Sequence, residues 1–163
     1  QLEVYDQIMN VNFMGSVAMA KAVLPIMYER QSGNICVISS VMARITTPSR
    51  SGYSASKYAL HGFFESLRSE AVHQGVQVTM IIPGYVRTNV SKNAVTADGT
   101  AHGKMDEVQD NGMAPEALAK DIYKAVAKNK AEIKSGGKEL YAMQLARFFP
   151  SIYRRIVKNY KPK

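Results

Sequence analysis

The sequence predicts an α/β fold, because helical and strand patterns alternate along the chain. Apolar residues recur at three- and four-residue steps over residues 2–30 and again over 53–73, as they do on the buried face of a helix. Two continuous apolar runs, "ICVIS" and "GVQVTMIIPG", are typical of strands in a parallel sheet. This alternation favours right-handed crossovers between parallel strands.

The first helix should end at "QSGN", where polar residues and a glycine break the apolar period. The strand that follows, Ile35–Ser39, should be buried on both faces, and its Cys36 should be a small buried apolar residue. Residues 41–52 are polar and contain Pro48, so a loop should lead into the second helix.

The second half of the chain is less regular. Pro83 and Gly84 end the second strand, and residues 88–113 are expected to form a long polar flap. A third helix should start at Pro115, because proline suits a first helical turn. The segment "KELYAM" is expected to be a third short strand, and a helix broken around Pro150 should follow it.

Composition limits the class of protein. A single cysteine in 163 residues permits no internal disulfide and no cysteine-rich metal site. It suits a reducing compartment, so a cytoplasmic location is expected. No continuous apolar run reaches the roughly 20 residues of a membrane span, and no secretory signal is recognised. The histidines lack ligand spacing and are interpreted as surface or packing residues: His61, His73 and His102.

The net charge of +8 is unevenly distributed. Residues 147–163 carry no acidic residue, and their basic residues are Arg147, Arg154, Arg155, Lys158, Lys161 and Lys163. Since the rest of the chain is nearly neutral and no nucleic-acid motif is present, no nucleic-acid partner is expected. Basic and apolar residues interleave in this tail, which suits an anionic membrane surface or the substrate entrance. The alternative is a helix docked on its own or a neighbouring subunit.

Tyr53 and Lys57 lie one helical turn apart and therefore share a face of the second helix. A tyrosine that exchanges protons near neutrality needs a pKa about 3 units below its usual value. A neighbouring ammonium acts in that direction, and Lys57 is placed to supply it. Taken alone, the pair is a weak signal, and an ordinary solvated tyrosine and lysine are the favoured interpretation.

Four motifs give the pair a context: "NVNFMG", "GNICVISSVMA", "SGYSASKYALHGFFESLRSE" and "VQVTMIIPGYVRT". In this order and spacing they resemble the short-chain dehydrogenase/reductase family, up to about Met143. The resemblance implies the C-terminal half of a Rossmann-like doubly wound parallel sheet. Residues 1–146 would be the catalytic part of a dehydrogenase domain, and 147–163 a basic amphipathic tail. It also implies NAD or NADP as cofactor and a carbonyl or alcohol as substrate.

The resemblance implies a role for four catalytic residues. Tyr53 would be the acid/base, and Lys57 would lower the tyrosine pKa and bind the nicotinamide ribose. Ser40 would orient and polarise the substrate oxygen, and Asn12 would hold a water of the proton relay. Two of them have simpler interpretations: Ser40 as a turn residue at a strand end, and Asn12 as a surface residue of a helix.

The segment "PGYVRT" resembles the family segment that contacts the nicotinamide. Pro83 and Gly84 would let the chain pass close to the cofactor, and the Val86 backbone would meet the carboxamide. Thr88 would help to hold it, although it could instead cap the next turn. Residues 89–113 correspond to the variable substrate flap.

One family feature is missing, the Gly-rich strand-turn-helix that cradles the cofactor pyrophosphate. The chain begins inside the helix that carries Asn12, so we expect a C-terminal half of a longer protein, inactive by itself. The residue that separates NAD from NADP would lie upstream, and NADP is only slightly favoured. The other hypotheses are a catalytically inert dimerisation or interaction module and a membrane-surface protein led by its tail. The resemblance implies a homodimer or homotetramer.

Overall fold

In the computed structural model, which describes residues 1–96 and 98–160, the described strands form one parallel sheet. The strands are β1 Gly33–Ile38, β2 Val76–Pro83 and β3 Glu132–Ser135, hydrogen-bonded in the order β1-β2-β3. Gly33 is paired with Val76 in the first ladder, and Met80 with Glu132 in the second. The predicted α/β class with a parallel sheet is confirmed.

Seven α-helices surround this sheet within the described residues. They are α1 Leu2–Met9, α2 Gly15–Glu29, α3 Ser51–Ala71, α4 Glu107–Asp110, α5 Pro115–Ala127, α6 Glu139–Phe148 and α7 Pro150–Lys158. Helix α3 connects β1 to β2 and α5 connects β2 to β3, as the crossover pattern predicted. Pro115 stands in the first turn of α5 as expected, and the predicted break around Pro150 falls between α6 and α7.

The long first helix contains a π-helical turn, Asn10–Met14, which separates α1 from α2. The π-helical turn is identified by the hydrogen bond that the Gly15 N–H donates to the Asn10 carbonyl, five residues earlier. Asn12 lies inside this turn, and its carbonyl accepts a 3.0 Å hydrogen bond from the Ser16 hydroxyl. Periodicity predicted one uninterrupted helix, because a single inserted residue shifts the apolar stripe too little to be seen in the sequence.

The segment Leu2–Glu29 is also long and apolar enough to cross a membrane, by length and composition alone. The expectation that no segment of the chain would pass this test is therefore wrong. That expectation is based on continuous apolar runs. The mean hydropathy of a helical segment also includes small residues such as Ala and Gly, which do not form such a run. In the fold, this segment packs against α3 and β1.

The core lies between the sheet and the helices α2, α3 and α6. Alternate residues of β2 face this side, and with them pack Leu60 and Phe64 of α3, Leu24 of α2 and Met143 of α6. The other residues of β2, such as Ile81, point to the opposite face, where α5 contacts β2 and β3. Strand β2 is thus buried on both faces, as predicted.

Strand β1 differs from this prediction. It lies at one edge of the described sheet, and its second face is uncovered: Cys36 is exposed, and Ile38 is 43% exposed. The expectation of a strand buried on both faces, with a buried Cys36, is wrong here because α5 covers β2 and β3 and does not extend over β1. Partial burial still raises the pKa of the Cys36 thiol above its ordinary value.

The third strand is also not where it was expected. The segment "KELYAM" belongs to α6, and β3 is formed by the preceding "EIKS". Two charged residues conceal the short strand in the sequence, although Ile133 and Ser135 give it apolar and buried positions. Helix α6 forms instead because Leu140 and Met143 are three residues apart and reach the core on one helical face.

Candidate active site

Tyr53 and Lys57 lie on the first two turns of α3, where the chain passes the carboxyl end of β1. The Lys57 Nζ atom is 5.6 Å from the centroid of the Tyr53 ring. The same ammonium donates a 3.1 Å hydrogen bond to the carbonyl of Ile38, the last residue of β1. The predicted pair therefore shares one face, and Lys57 is fixed to the strand end.

Ser40 follows β1 by two residues and is buried. Its hydroxyl accepts a 3.1 Å hydrogen bond from the Met42 N–H and so caps the 3₁₀ turn Val41–Ala43. The Ser40 side chain also acts to lower the pKa of the Tyr53 phenol, so it lies near that phenol. Ser40 is thus both a turn residue and a neighbour of Tyr53.

Asn12 is connected to the same helix through Ser56. The Asn12 Nδ2 atom donates a 3.0 Å hydrogen bond to the Ser56 hydroxyl, which in turn donates a 2.8 Å bond to the Tyr53 carbonyl. Ser56 is fully buried, so the middle of this chain of bonds is shielded from water. It links the π-helical turn to the residue that carries the phenol. Sequence reasoning missed Ser56, since a serine in the small-residue run "YSAS" has no distinguishing pattern.

The electrostatics of the pair differ from the expectation. Burial raises the pKa of the Tyr53 phenol above its ordinary value of 10, and Ser40 and the Arg50 charge oppose this only in part. Burial also lowers the pKa of the Lys57 amine below 10.5. The expected lowering of the tyrosine pKa by Lys57 is not what the structure shows, because desolvation is the larger effect here.

The "PGYVRT" segment continues from the end of β2. Pro83 pairs with Ser135, and the Gly84 N–H donates a 2.8 Å hydrogen bond to the Ser135 carbonyl. Val86 is buried and forms an isolated parallel bridge with Met113. The carboxyl ends of β1 and β2 lie side by side in a parallel sheet, which is where such folds bind ligands.

Thr88 is exposed and caps its own turn. Its hydroxyl donates a 3.4 Å bond to the Val86 carbonyl and accepts a 3.5 Å bond from the Val90 N–H. The Val86 carbonyl also accepts a short hydrogen bond from the Gln109 side chain, which comes from the flap. The local contacts of Thr88 thus match its simpler interpretation as a turn cap.

Glu139 binds the "PGYVRT" segment, although it lies 54 residues beyond Tyr85 in the sequence. Sequence reasoning missed this residue. Its Oε1 atom accepts hydrogen bonds from the Tyr85 N–H at 3.0 Å and the Gly137 N–H at 2.9 Å. A Cβ atom at Gly84 would overlap this same oxygen. A side chain at Gly84 would therefore displace the Glu139 carboxylate from this position. No local pattern in the sequence could have indicated this contact.

The flap is attached to α3 by an ion pair. Arg50, at the N-terminus of α3, lies with its Nη2 atom 2.9 Å from Oδ2 of Asp106. The Nε2 atom of His102 is 3.5 Å from Oδ1 of the same carboxylate. Since Arg50 also lowers the pKa of Tyr53, one side chain contacts the flap and acts on the phenol.

His61, on α3, is buried among charged residues, while His73 and His102 are exposed. Ligand atoms of His61, Glu65 and Glu132 lie within 4.8 Å of one another, the approach of a three-ligand metal site. Both carboxylates, however, are already paired with cations: Glu65 with Arg68, and Glu132 with Arg44 and Lys134. The interpretation of His61 as a packing residue therefore agrees better with its surroundings.

Comparison with known proteins decides the family. The model of the short chain dehydrogenase family matches residues 1–99, which include Asn12, Ser40, Tyr53 and Lys57. The chain belongs to this family. A short-chain dehydrogenase from Danio rerio, dehydrogenase/reductase SDR family member 7B, is 42% identical over 157 residues, covering 96% of this chain and 51% of the relative.

A second short-chain dehydrogenase, the SDR family protein 7-like of Drosophila melanogaster, is 42% identical over 148 residues. That match covers 90% of this chain and 45% of the relative. The chain thus spans about half the length of the curated relatives that it matches.

Solved structures of the family share the fold. A short-chain dehydrogenase from Burkholderia cenocepacia, crystallised in complex with NADP, superposes with a TM-score of 0.77 at 23% identity. It is matched over 98% of this chain and 61% of its own. A second one, from Streptomyces avermitilis, gives a TM-score of 0.72 at 23% identity, over 96% of this chain and 63% of its own. At this identity the likeness establishes the Rossmann-like fold alone.

Proposed function

We propose that this short-chain dehydrogenase transfers hydride between NAD(P) and a carbonyl or alcohol substrate, with Tyr53 as the proton donor or acceptor. The observation that carries the proposal is the position of Tyr53 beside Lys57 and Ser40 at the carboxyl end of β1. Ligands of open parallel sheets bind at this end. The alternative of an inert interaction module has no support in the matched family or in the relatives described above.

In the reducing direction, Tyr53 donates its phenolic proton to the carbonyl oxygen of the substrate. Burial keeps the pKa of this phenol above its ordinary value, so the phenol carries its proton at neutral pH. A phenol with a pKa nearer neutrality would transfer that proton more readily. Ser40 lies beside the phenol and orients the same oxygen. Asn12 acts through Ser56 and fixes the backbone of Tyr53, which makes it a positioning residue in this arrangement. We retain the relay water at Asn12 as a further proposal.

The residues present fit a nicotinamide cofactor. Lys57 uses one of its ammonium protons on the Ile38 carbonyl, which leaves donors for ribose hydroxyls. Pro83, Gly84, Val86 and Thr88 follow β2 and would hold the nicotinamide end. When bound, the cofactor supplies or accepts the hydride. We favour NADP over NAD slightly, because NADP is present in the Burkholderia cenocepacia structure.

The decisive experiment is Tyr53→Phe in the native-length protein, with turnover measured on a panel of ketones and aldehydes. We expect turnover to fall at least about 100-fold, because only the proton donor is removed. Affinity for NADPH should stay within a few-fold of the parent. Tyr58→Phe is the matched control, since Tyr58 is on the same helix but 45% exposed. Turnover of Tyr53→Phe close to that of Tyr58→Phe would contradict the assigned role.

The 163-residue chain alone is proposed not to bind a nicotinamide cofactor. In this fold, most contacts to the cofactor involve its pyrophosphate and adenine ribose, at a Gly-rich turn that this sequence lacks. Isothermal titration of the chain with NADH and NADPH measures this. Saturable micromolar binding of either would show that the chain holds the cofactor without that turn.

We also propose that the protein is a homodimer or homotetramer in the cytoplasm, with no nucleic-acid partner. The support for assembly is the outer face of the first long helix, where Val11 and Met19 are each 69% exposed. Exposed apolar residues on one helix are common at subunit interfaces. Light scattering on Val11→Ser and Met19→Ser would show a lower mass than the parent if this face forms the interface.

A further inference from the structure

The end of α6 and the whole of α7, residues 147–158, form a segment that we call the basic arm. Four bulky apolar side chains of the arm are more than half exposed: Phe148 at 64%, Phe149 at 58%, Ile152 at 52% and Ile156 at 55%. A hydrophobic side chain exposed singly needs no explanation, but a cluster of this kind indicates an interaction surface.

The arm is held against the protein by one side only. Tyr153 packs against the core, and its phenol donates a 2.8 Å hydrogen bond to the Thr46 carbonyl. Ile152 and Ile156 are one turn apart and lie on the helix surface next to this attachment, facing outward. The attachment therefore fixes the direction in which the apolar strip points.

The charge of the arm has a single sign. By the helical repeat of 3.6 residues, Arg154 and Lys158 lie on the side of α7 opposite to Ile152 and Ile156, whereas Arg155 flanks that apolar strip. Arg147 lies with its guanidinium carbon 5.5 Å from the centroid of the Phe148 ring. Within the part of the chain that the structure describes, none of these four basic side chains forms an ion pair.

We propose that the basic arm binds an anionic lipid surface, with Ile152, Ile156 and the phenylalanines entering the headgroup region. An exposed apolar strip flanked by unpaired cations is the arrangement of helices that lie in a membrane interface. Basic residues near such a surface are attracted to anionic lipids, and the apolar strip adds the second contribution that stable binding needs.

The charge also argues against a second copy of the chain as the occupant. A two-fold interface brings the same patch of both subunits together. Pairing through this strip would bring the flanking Arg155 side chains of both copies into one interface, and like charges across an interface are unfavourable. An anionic surface, in contrast, satisfies the apolar strip and the cations at the same time.

Vesicle co-sedimentation of the native-length protein tests the proposal, with vesicles of phosphatidylcholine alone and with phosphatidylserine added. We expect binding to the mixed vesicles only, and weaker binding as salt increases. The pair Arg154→Gln and Arg155→Gln should lower the binding constant at least about tenfold. Matched controls for this charge change are Lys120→Gln and Lys124→Gln on α5, both exposed and outside the arm.

The pair Ile152→Ser and Ile156→Ser should also weaken binding at least about tenfold, because it removes apolar contact and keeps all charges. All four substituted arm residues are exposed, and an unchanged melting temperature will show that the variants are folded. Equal binding by the arm variants and the control overturns the proposal, as does equal or no binding to both vesicle types. Loss of a dimer with unchanged vesicle binding would assign the strip to a second copy instead.

Discussion

The two halves of this molecule position their candidate functional residues in different ways. In residues 1–83, Asn12, Ser40, Tyr53 and Lys57 are placed by helix and strand geometry, and two hydrogen bonds join Asn12 to the Tyr53 backbone through Ser56. In residues 84–160, the segment after β2 is held by side chains from far along the chain, Gln109 and Glu139. Regular structure therefore fixes the first group, and individual long-range contacts fix the second.

If this comparison is correct, a methyl group added at a contact of the segment after β2 should destabilise the protein more than one added on the exposed face of α3. A Cβ at Gly112 would lie 2.6 Å from the Tyr85 carbonyl oxygen and 2.9 Å from the Val86 nitrogen, both backbone atoms. Gly112→Ala should therefore push apart the Val86–Met113 bridge and lower the free energy of unfolding by about 3 kcal/mol. Denaturant unfolding of the purified protein measures this change.

The control for this prediction is Gly62→Ala in the first half. Gly62 is in α3 and is exposed, and a methyl group added there would meet no neighbouring atom within 4 Å. Alanine is favoured over glycine inside a helix, so this variant should gain about 0.5–1 kcal/mol. If the two variants change stability in the same direction, the contrast between the two halves does not hold.

The next largest effect is expected at Glu139. Glu139→Ala leaves the Tyr85 and Gly137 N–H groups without their acceptor, which should cost about 2 kcal/mol of stability. Glu139→Gln keeps an oxygen acceptor and should lose less than half of that. Because this segment is proposed to contact the nicotinamide, the alanine variant should also raise the KM for cofactor more than it lowers kcat. Equal losses in the two variants would show that the hydrogen bonds are unimportant.

The same contrast explains which features could be predicted from the sequence. The α/β class, the long helices and the Tyr53–Lys57 face follow from periodicities of the chain itself, which act over a few residues. The position of β3 could not be predicted, because Glu132 and Lys134 hide a strand that pairing with β2 creates. Glu139 and Ser56 could not be predicted either, since each contact joins segments that only the folded chain brings together.

His61 provides a prediction for the first half, with a smaller effect. Burial lowers the pKa of this imidazole to about 4, so it is neutral in the folded protein near neutral pH. The charged groups that act on it are Arg44, Glu132, Glu65 and Arg68. In the unfolded chain it takes up a proton at its usual pKa of about 6.5, so stability is lost as the pH falls from about 6.5 towards 4.

At about pH 5.5 this loss should be about 1 kcal/mol. It is measured as the difference in unfolding free energy between pH 7.5 and 5.5, for the parent and for His61→Gln. The variant has no titrating group at this position, so its stability should change less over the same range. An identical pH dependence in both proteins would mean that His61 does not make this contribution.

The smallest effect is expected where the two halves meet, at the ion pair between Arg50 and Asp106. The side chains are 39% and 27% exposed, and ion pairs of this exposure contribute about 0.5 kcal/mol. A double-mutant cycle with Arg50→Gln and Asp106→Asn isolates that coupling.

The arginine variant has a second consequence, because Arg50 lowers the pKa of Tyr53. Arg50→Gln should raise that pKa further, whereas Asp106→Asn should lower it, since an unpaired Arg50 acts more strongly on the phenol. Spectroscopic titration of the tyrosines measures this pKa, once the titration curve of Tyr53→Phe has been subtracted. If both variants shift the pKa of Tyr53 in the same direction, the flap and the phenol are not connected through Arg50.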